Sequence, residues 1–276
     1  SLASVLNQAG ERKVAEDTIA KALASPDAAN EPLAVAEAHL LAFQIHRQMG
    51  ASDLARSSLA SALRVTLAAR GNAQQPAAKA SVERLLARIA YFYGDTDGWK
   101  RALARGFDLA SGEKHLVGMI AIEANSSALL RGDVVAGRDA LRKAMTSGAD
   151  DEDLVYAALW LALSQSPQKA STDDVVKQAL NSAKTNGNWI GDLALWGLGR
   201  IDDSTLLSRA RTLVQRTEAG FYIAARKRSS GDSSWKADLE KIATGPAIEL
   251  VETHLAREMT SNTPATAFGA PPQPLP

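Results

Sequence analysis

Histidine is the side chain best suited to binding a metal or moving a proton near neutral pH, and this chain has four, His39, His46, His115 and His254. His39 and His46 are seven residues apart and share one helical face. A metal site needs three or four converging ligands, and no carboxylate completes a tight cluster there. A partly buried or groove-lining role is the expectation for both. His254 and Glu258 do not make the two-histidine, one-glutamate zinc helix and read as a surface pair. The chain has no cysteine, which excludes disulfides, thiolate metal sites and cysteine nucleophiles. No serine, histidine and acid surround a recognisable nucleophile turn. The acids of Asp150 to Asp153 and of Asp173-Asp174 fall at expected helix starts, where the helix dipole favours them. The sequence therefore assigns no catalytic residue, metal or cofactor.

Other short motifs have structural readings. Arg131-Gly132-Asp133 spells an integrin-type tripeptide but falls at an inter-helix turn. Gly197-x-Gly199 is no dinucleotide loop, since no strand precedes it. Asn125-Ser126-Ser127 is a glycosylation sequon inside an expected helix. The pairs Tyr156/Trp160 and Trp189/Trp196 are at helical spacing on apolar helices; core packing is expected over service as peptide anchors. Arg226-Lys227-Arg228 reads as a solvated helix end, with a membrane or partner contact as the alternative.

The elements that would position these residues follow from composition and spacing. Of the 276 residues, 46% are hydrophobic and only 5% aromatic, so the core must be built from Ala, Leu, Val and Ile, a helix-favouring set. The 31 basic and 31 acidic residues balance, which disfavours generic nucleic-acid binding. The longest apolar run, Leu154 to Leu163, is too short to span a bilayer.

A glycine, often followed by an acid and then an Ala/Leu/Arg-rich helix, returns at Gly10-Glu11, Gly50-Ala51, Gly94-Asp95, Gly132-Asp133 and Gly231-Asp232. The first four are 38 to 44 residues apart, and the 99 residues from Gly132 to Gly231 hold three periods of 33. Such a period is the signature of stacked helical pairs. The expected helices are 2–9 with 11–24, 33–49 with 52–70, 76–93 with 96–110, 113–131 with 134–147, 150–164 with 172–185, 188–198 with 204–215, and 217–229 with 233–242. Ser52 is the expected N-cap of its helix. A final helix, 246–259, carries a stripe of Ala247, Ile248, Val251, Leu255 and Met259 and would close the open end of the stack. Residues 261–276 read as a flexible, Pro-rich tail.

The segment Arg131 to Met145 resembles the second half of a tetratricopeptide repeat, with Gly137, Leu141 and Ala144 at the small, large and small positions. Ala15, Ile19 and Ala22 match in the first unit, and Ala55, Leu59 and Ala62 in the second. The first helices depart from the motif, with Ala121, Ala124 and Asn125 where an aromatic and a leucine-glycine pair are usual, and Trp99 replaces a small residue. The resemblance covers most of the chain by period and about half by motif. It implies an all-α, right-handed solenoid, here of about seven antiparallel helix pairs and a C-terminal capping helix over residues 1–260. It also implies a concave groove that binds peptides or partner proteins and carries no catalysis.

Carried over by register from the turn glycines, the groove positions are Glu37, Leu40, Gln44 and Arg47, then Ser81, Arg84, Arg88 and Tyr91. Arg84, Arg88 and Tyr91, at i, i+4 and i+7, share a helical face. Arginine forms geometry-specific bidentate bonds with carboxylates, so the expected partner is an acidic segment or a chain's terminal carboxylate. The alternative is a solvated arginine face satisfied by Glu83 and other local acids. The functional expectation is a non-catalytic protein–protein interaction module or assembly scaffold. Its alternative is an oligomerising structural subunit of a larger cell-envelope complex. The cysteine-free, Ala/Arg/Leu-rich composition suggests a bacterial chain in the periplasm or envelope, with the cytoplasm as the other setting.

Overall fold

A computed structural model describes residues 3, 6, 11–183, 187–247, 250–261 and 271. Among them all regular structure is helical, fifteen α-helices and one 3-10 turn without a strand. All of the expected helix 2–9 except Ala3 and Leu6, which are helical, falls outside the described residues, as do the turn at Gly10, the end of helix 172–185, Ile248 and nearly all of the tail. The helices cluster into two compact units, one within residues 1–110 and one within residues 111–262. No described helix is long and apolar enough to cross a membrane.

In the first unit α1 (Arg12–Leu23), α2 (Pro32–Gln48), α3 (Ser52–Asn72), α4 (Pro76–Tyr93) and α5 (Thr96–Leu109) pack each on the next, and α2 also meets α4. Pro32 and Pro76 open their helices, where a missing N–H costs nothing. Ala36, Ala55, Ala62 and Ala87 are fully buried and let helices approach, while Phe43, Leu59, Leu86 and Trp99 fill the space between them. The glycine-acid phrase has a simple local cause. Gly94 ends α4 in the left-handed region at φ 73°, and the Asp95 side chain accepts the Gly98 N–H at 2.8 Å to start α5. Gly132 and Asp133 repeat the arrangement in the second unit, at φ 77° and 3.3 Å to the Ala136 N–H. Ser52 does not cap α3: the N-cap is Ala51, which has no side-chain oxygen, and Ser52 is already helical.

The second unit contains α6 (Lys114–Arg131), α7 (Val134–Thr146), α8 (Asp151–Leu163), α9 (Pro167–Ala170), α10 (Asp174–Ser182), α11 (Trp189–Gly197), α12 (Asp203–Arg209), α13 (Leu213–Ser230), α14 (Trp235–Ala243) and α15 (Val251–Thr260). Its centre is α8, the longest apolar run, which is hydrophobic on every side and so must be covered on every side. It touches α6, α7, α9, α10, α11 and α13. The terminal helix α15 packs on α13 and α14 and returns to α6, while Arg228 of α13 reaches the Leu129 carbonyl of α6 at 3.5 Å. The last helix therefore closes the unit on its own first helix, where the sequence pattern alone implies the covering of a stack end.

Three boundaries differ from expectation. The helix expected over 204–215 stops at Arg209, and α13 starts at Leu213 instead of Thr217. A capping box causes the break: Thr212 accepts the Gln215 N–H at 3.2 Å, and the Gln215 side chain accepts the Thr212 N–H at 3.2 Å. A short helix, α9, lies in the connection between the expected helices 150–164 and 172–185. The final helix begins at Val251 and not at Pro246, with the Thr253 hydroxyl donating to the Ala247 carbonyl at 2.8 Å. Its buried face differs too: Leu255 is inside as expected, but Val251 is 49% exposed, and Glu252 and Thr253 are buried.

Candidate functional site

The proposed groove residues lie on α2 and α4, which touch. Arg84 Nη2 donates to Glu37 Oε1 at 3.1 Å, an ion pair that ties the two helices and joins two residues nominated independently by register. The Arg84 side chain is 12% exposed, against 50% for Glu37, and its buried Nε makes no hydrogen bond. Gln44, Arg47 and Arg88 are half-buried along the same helices. Burial pushes the Arg47 guanidinium below its ordinary value, opposed by the neighbouring Tyr91, and Arg47 sits 5.9 Å from the Phe43 ring. Tyr91 is buried and packs edge-on to Phe92. Leu40 belongs to the core, and Ser81 donates its hydroxyl to the Ala77 carbonyl of its own helix. Glu83 does not serve this arginine face. It turns inward, 3% exposed, and accepts from Arg70 Nε at 2.9 Å and Arg105 Nη2 at 2.8 Å.

The histidines are placed by local packing. His46 is buried, with Nδ1 3.0 Å from the Ser58 hydroxyl and Nε2 3.1 Å from Glu16 Oε1. Burial, with Arg64 nearby, holds half-buried His39 below its usual pKa. The His115 ring lies with the Asp150 and Asp153 carboxylates, one ligand atom from each within 4.8 Å of the others. Gly118 leaves the room that Asp153 occupies, since a Cβ there would meet Asp153 Oδ2 at 1.9 Å. His115 and Asp150 are exposed, and acids at the start of α8 are favoured by the helix dipole without an ion. Asn125 of the sequon is fully buried. Arg226, Lys227 and Arg228 are engaged separately, by Asp203, by Asp238 at 2.7 Å and by the Trp235 ring at 5.7 Å.

Two features of the second unit have no counterpart in the sequence reading. The first is a buried acid cluster. Glu218 accepts from the Tyr156 hydroxyl at 2.9 Å and from the Trp189 indole, and Glu252 accepts from the Tyr222 hydroxyl at 2.8 Å. Both glutamates are under 5% exposed. Burial raises Glu218 against those two hydrogen bonds and raises Glu252 to about 7 against its one from Tyr222. A tyrosine and a tryptophan expected as plain core therefore also act as donors to a buried carboxylate.

The second feature is a groove of about 430 Å³ bordered by α8 to α11 and α13. Leu159, Val176, Leu180 and Trp196 form its apolar floor, and Lys177, Arg200 and Arg226 stand around it. Gly197 allows the floor to close, because a Cβ there would meet Leu159 Cδ2 at 2.6 Å and Leu180 Cδ1 at 2.9 Å. Gly199, at φ 69°, ends α11 and turns the chain so that the Arg200 N–H bonds the Leu195 carbonyl at 2.9 Å. The sequence signal that could have pointed here is Gly197-x-Gly199-Arg200, a helix end carrying an arginine.

No protein-family model matches the chain, and neither a curated protein nor a solved structure matches it.

Proposed function

We propose that this chain is a non-catalytic interaction module, a diverged tetratricopeptide-like array that binds an acidic peptide or partner-protein segment along α2 and α4. The supporting observation is the Glu37–Arg84 ion pair, which bridges α2 and α4, the helices that also carry the half-buried Gln44, Arg47 and Arg88. Side chains already held by packing lose little freedom on binding, so less of the interaction energy is spent on ordering them. Arginine in such positions favours carboxylate over neutral ligands through paired N–H donors. A bacterial cell-envelope setting is part of the same reading.

The test is a peptide-display selection against the intact chain. Enriched peptides should be acidic, and Arg88→Glu combined with Arg84→Gln should weaken them at least tenfold while leaving the circular dichroism unchanged. Equal binding to that variant would overturn the reading. A stable homo-oligomer that occludes α2 and α4 would favour the oligomerising-subunit alternative.

A further inference from the structure

We propose that the groove of the second unit is a small-molecule site for an aliphatic carboxylate, its chain on the Leu159–Leu180–Trp196 floor and its head group beside Lys177 and Arg200. This is a ligand and a location separate from the peptide stripe on α2 and α4.

Charge comes first. Lys177, Arg200 and Arg226 line the groove, and among the described residues no carboxylate or imidazole side chain does. Arg226 is committed: it stacks on Trp196 at 4.2 Å and bonds Asp203. The other two keep uncompensated charge. Among the described residues Lys177 makes no ion pair, and Arg200 donates only to a neutral acceptor, Asn181 Oδ1, at 2.8 Å. Both are exposed at the rim, so a head group can reach them from solvent. Two unpaired cations next to an apolar floor complement a compact anion with an apolar tail.

The remaining polar lining favours that ligand over a peptide. The Ser171 hydroxyl donates to Gln168 O at 2.9 Å, and the Ser229 hydroxyl donates to Arg226 O at 2.9 Å. The Asn181 amide donates to Lys177 O at 2.8 Å, and its oxygen accepts from Arg200. These neutral groups are satisfied within the protein, so a peptide entering the groove would bury backbone N–H and C=O groups with few partners, at a cost. An alkyl chain has no such groups to satisfy. The volume, about 430 Å³, lies at the small end of ligand pockets, which suits a chain of about eight carbons.

Isothermal titration calorimetry of the whole chain with hexanoate, octanoate and octanol tests the proposal. Each methylene buried should tighten binding by about fourfold, so octanoate should exceed hexanoate by at least tenfold. Octanol should bind at least tenfold more weakly than octanoate. Lys177→Gln with Arg200→Gln, both at exposed positions, should bring octanoate down to the level of octanol. Ala170→Trp, at the groove edge, should abolish binding of both. Octanol binding as tightly as octanoate, equal affinity for hexanoate and octanoate, or no octanoate binding below 1 mM would each overturn the assignment.

Discussion

Both units bury glutamate, and they treat it in opposite ways. In the first unit Glu83 is clamped by two guanidinium groups, from Arg70 on α3 and Arg105 on α5. In the second, the side-chain donors to Glu218 and Glu252 among the described residues are neutral, two phenols and an indole. A carboxylate taken out of water is tolerated charged when cations and hydrogen bonds replace its hydration; with hydrogen bonds alone, burial favours the protonated form. The first unit therefore holds an ionic cross-link between helices. The second holds acids whose charge depends on pH.

Removing the clamp should have the largest effect. Glu83→Ala strands two arginines in a partly buried setting, and the first unit is expected to lose about 4 kcal/mol, read as a lowered urea midpoint followed through Trp99. A destabilisation below about 1 kcal/mol would show the clamp to be ornamental.

The opposite behaviour is expected at Glu252. Its folded-state pKa, raised to about 7, lies above the value near 4.5 of an unfolded chain, so between those pH values the folded state binds more protons. Stability of the second unit should be full below about pH 4.5, fall as pH rises through that window, and level off above 7, a total of about 3 kcal/mol. Glu252→Gln should flatten this decline and stabilise the unit at pH 8. Denaturation midpoints at pH 5 and pH 8 decide it; an equal decline in the variant would place the titration elsewhere.

A smaller step concerns Glu218. Tyr156→Phe removes one of its two donors and is expected to cost about 1 kcal/mol, measurable by thermal unfolding. The variant should also raise the Glu218 pKa further, extending the pH dependence upward. The smallest effect belongs to the exposed counterpart of the clamp. A double-mutant cycle on Glu37 and Arg84 should return about 0.5 kcal/mol of coupling, because Glu37 is half in solvent. A coupling as large as that of Glu83 would erase the distinction between buried and exposed pairs within the first unit.

Much of the helical layout was legible in the sequence because its signals are local. Gly94-Asp95 and Gly132-Asp133 announce a left-handed stop and a side-chain start within two residues, and the helices flanking them fall within one residue of their expected ends. Pro76 and Tyr93 bound α4 as expected. The break before α13 was also written locally, as Thr212-x-x-Gln215, but a continuous helical pattern across it masked the signal. The α2–α4 face was legible in part: register selected both Glu37 and Arg84, yet not that one neutralises the other. The groove was hardly legible, since its floor draws on α8, α10 and α11, and its cations look like ordinary surface charge in sequence.

The sequence by itself determined that this chain is helical, where most of its helices start and stop, and that its core is built from alanine and aliphatic side chains. Those properties follow from interactions that span only a few residues. Tertiary structure alone decided which acids are buried, that Glu83 lies between arginines 13 and 22 residues away, and that Tyr156 meets Glu218 across 62 residues. A glutamate's local pattern is the same whether its carboxylate ends in water, between two arginines or under a tyrosine. Only the packing of distant helices sets its solvation, and solvation sets its charge.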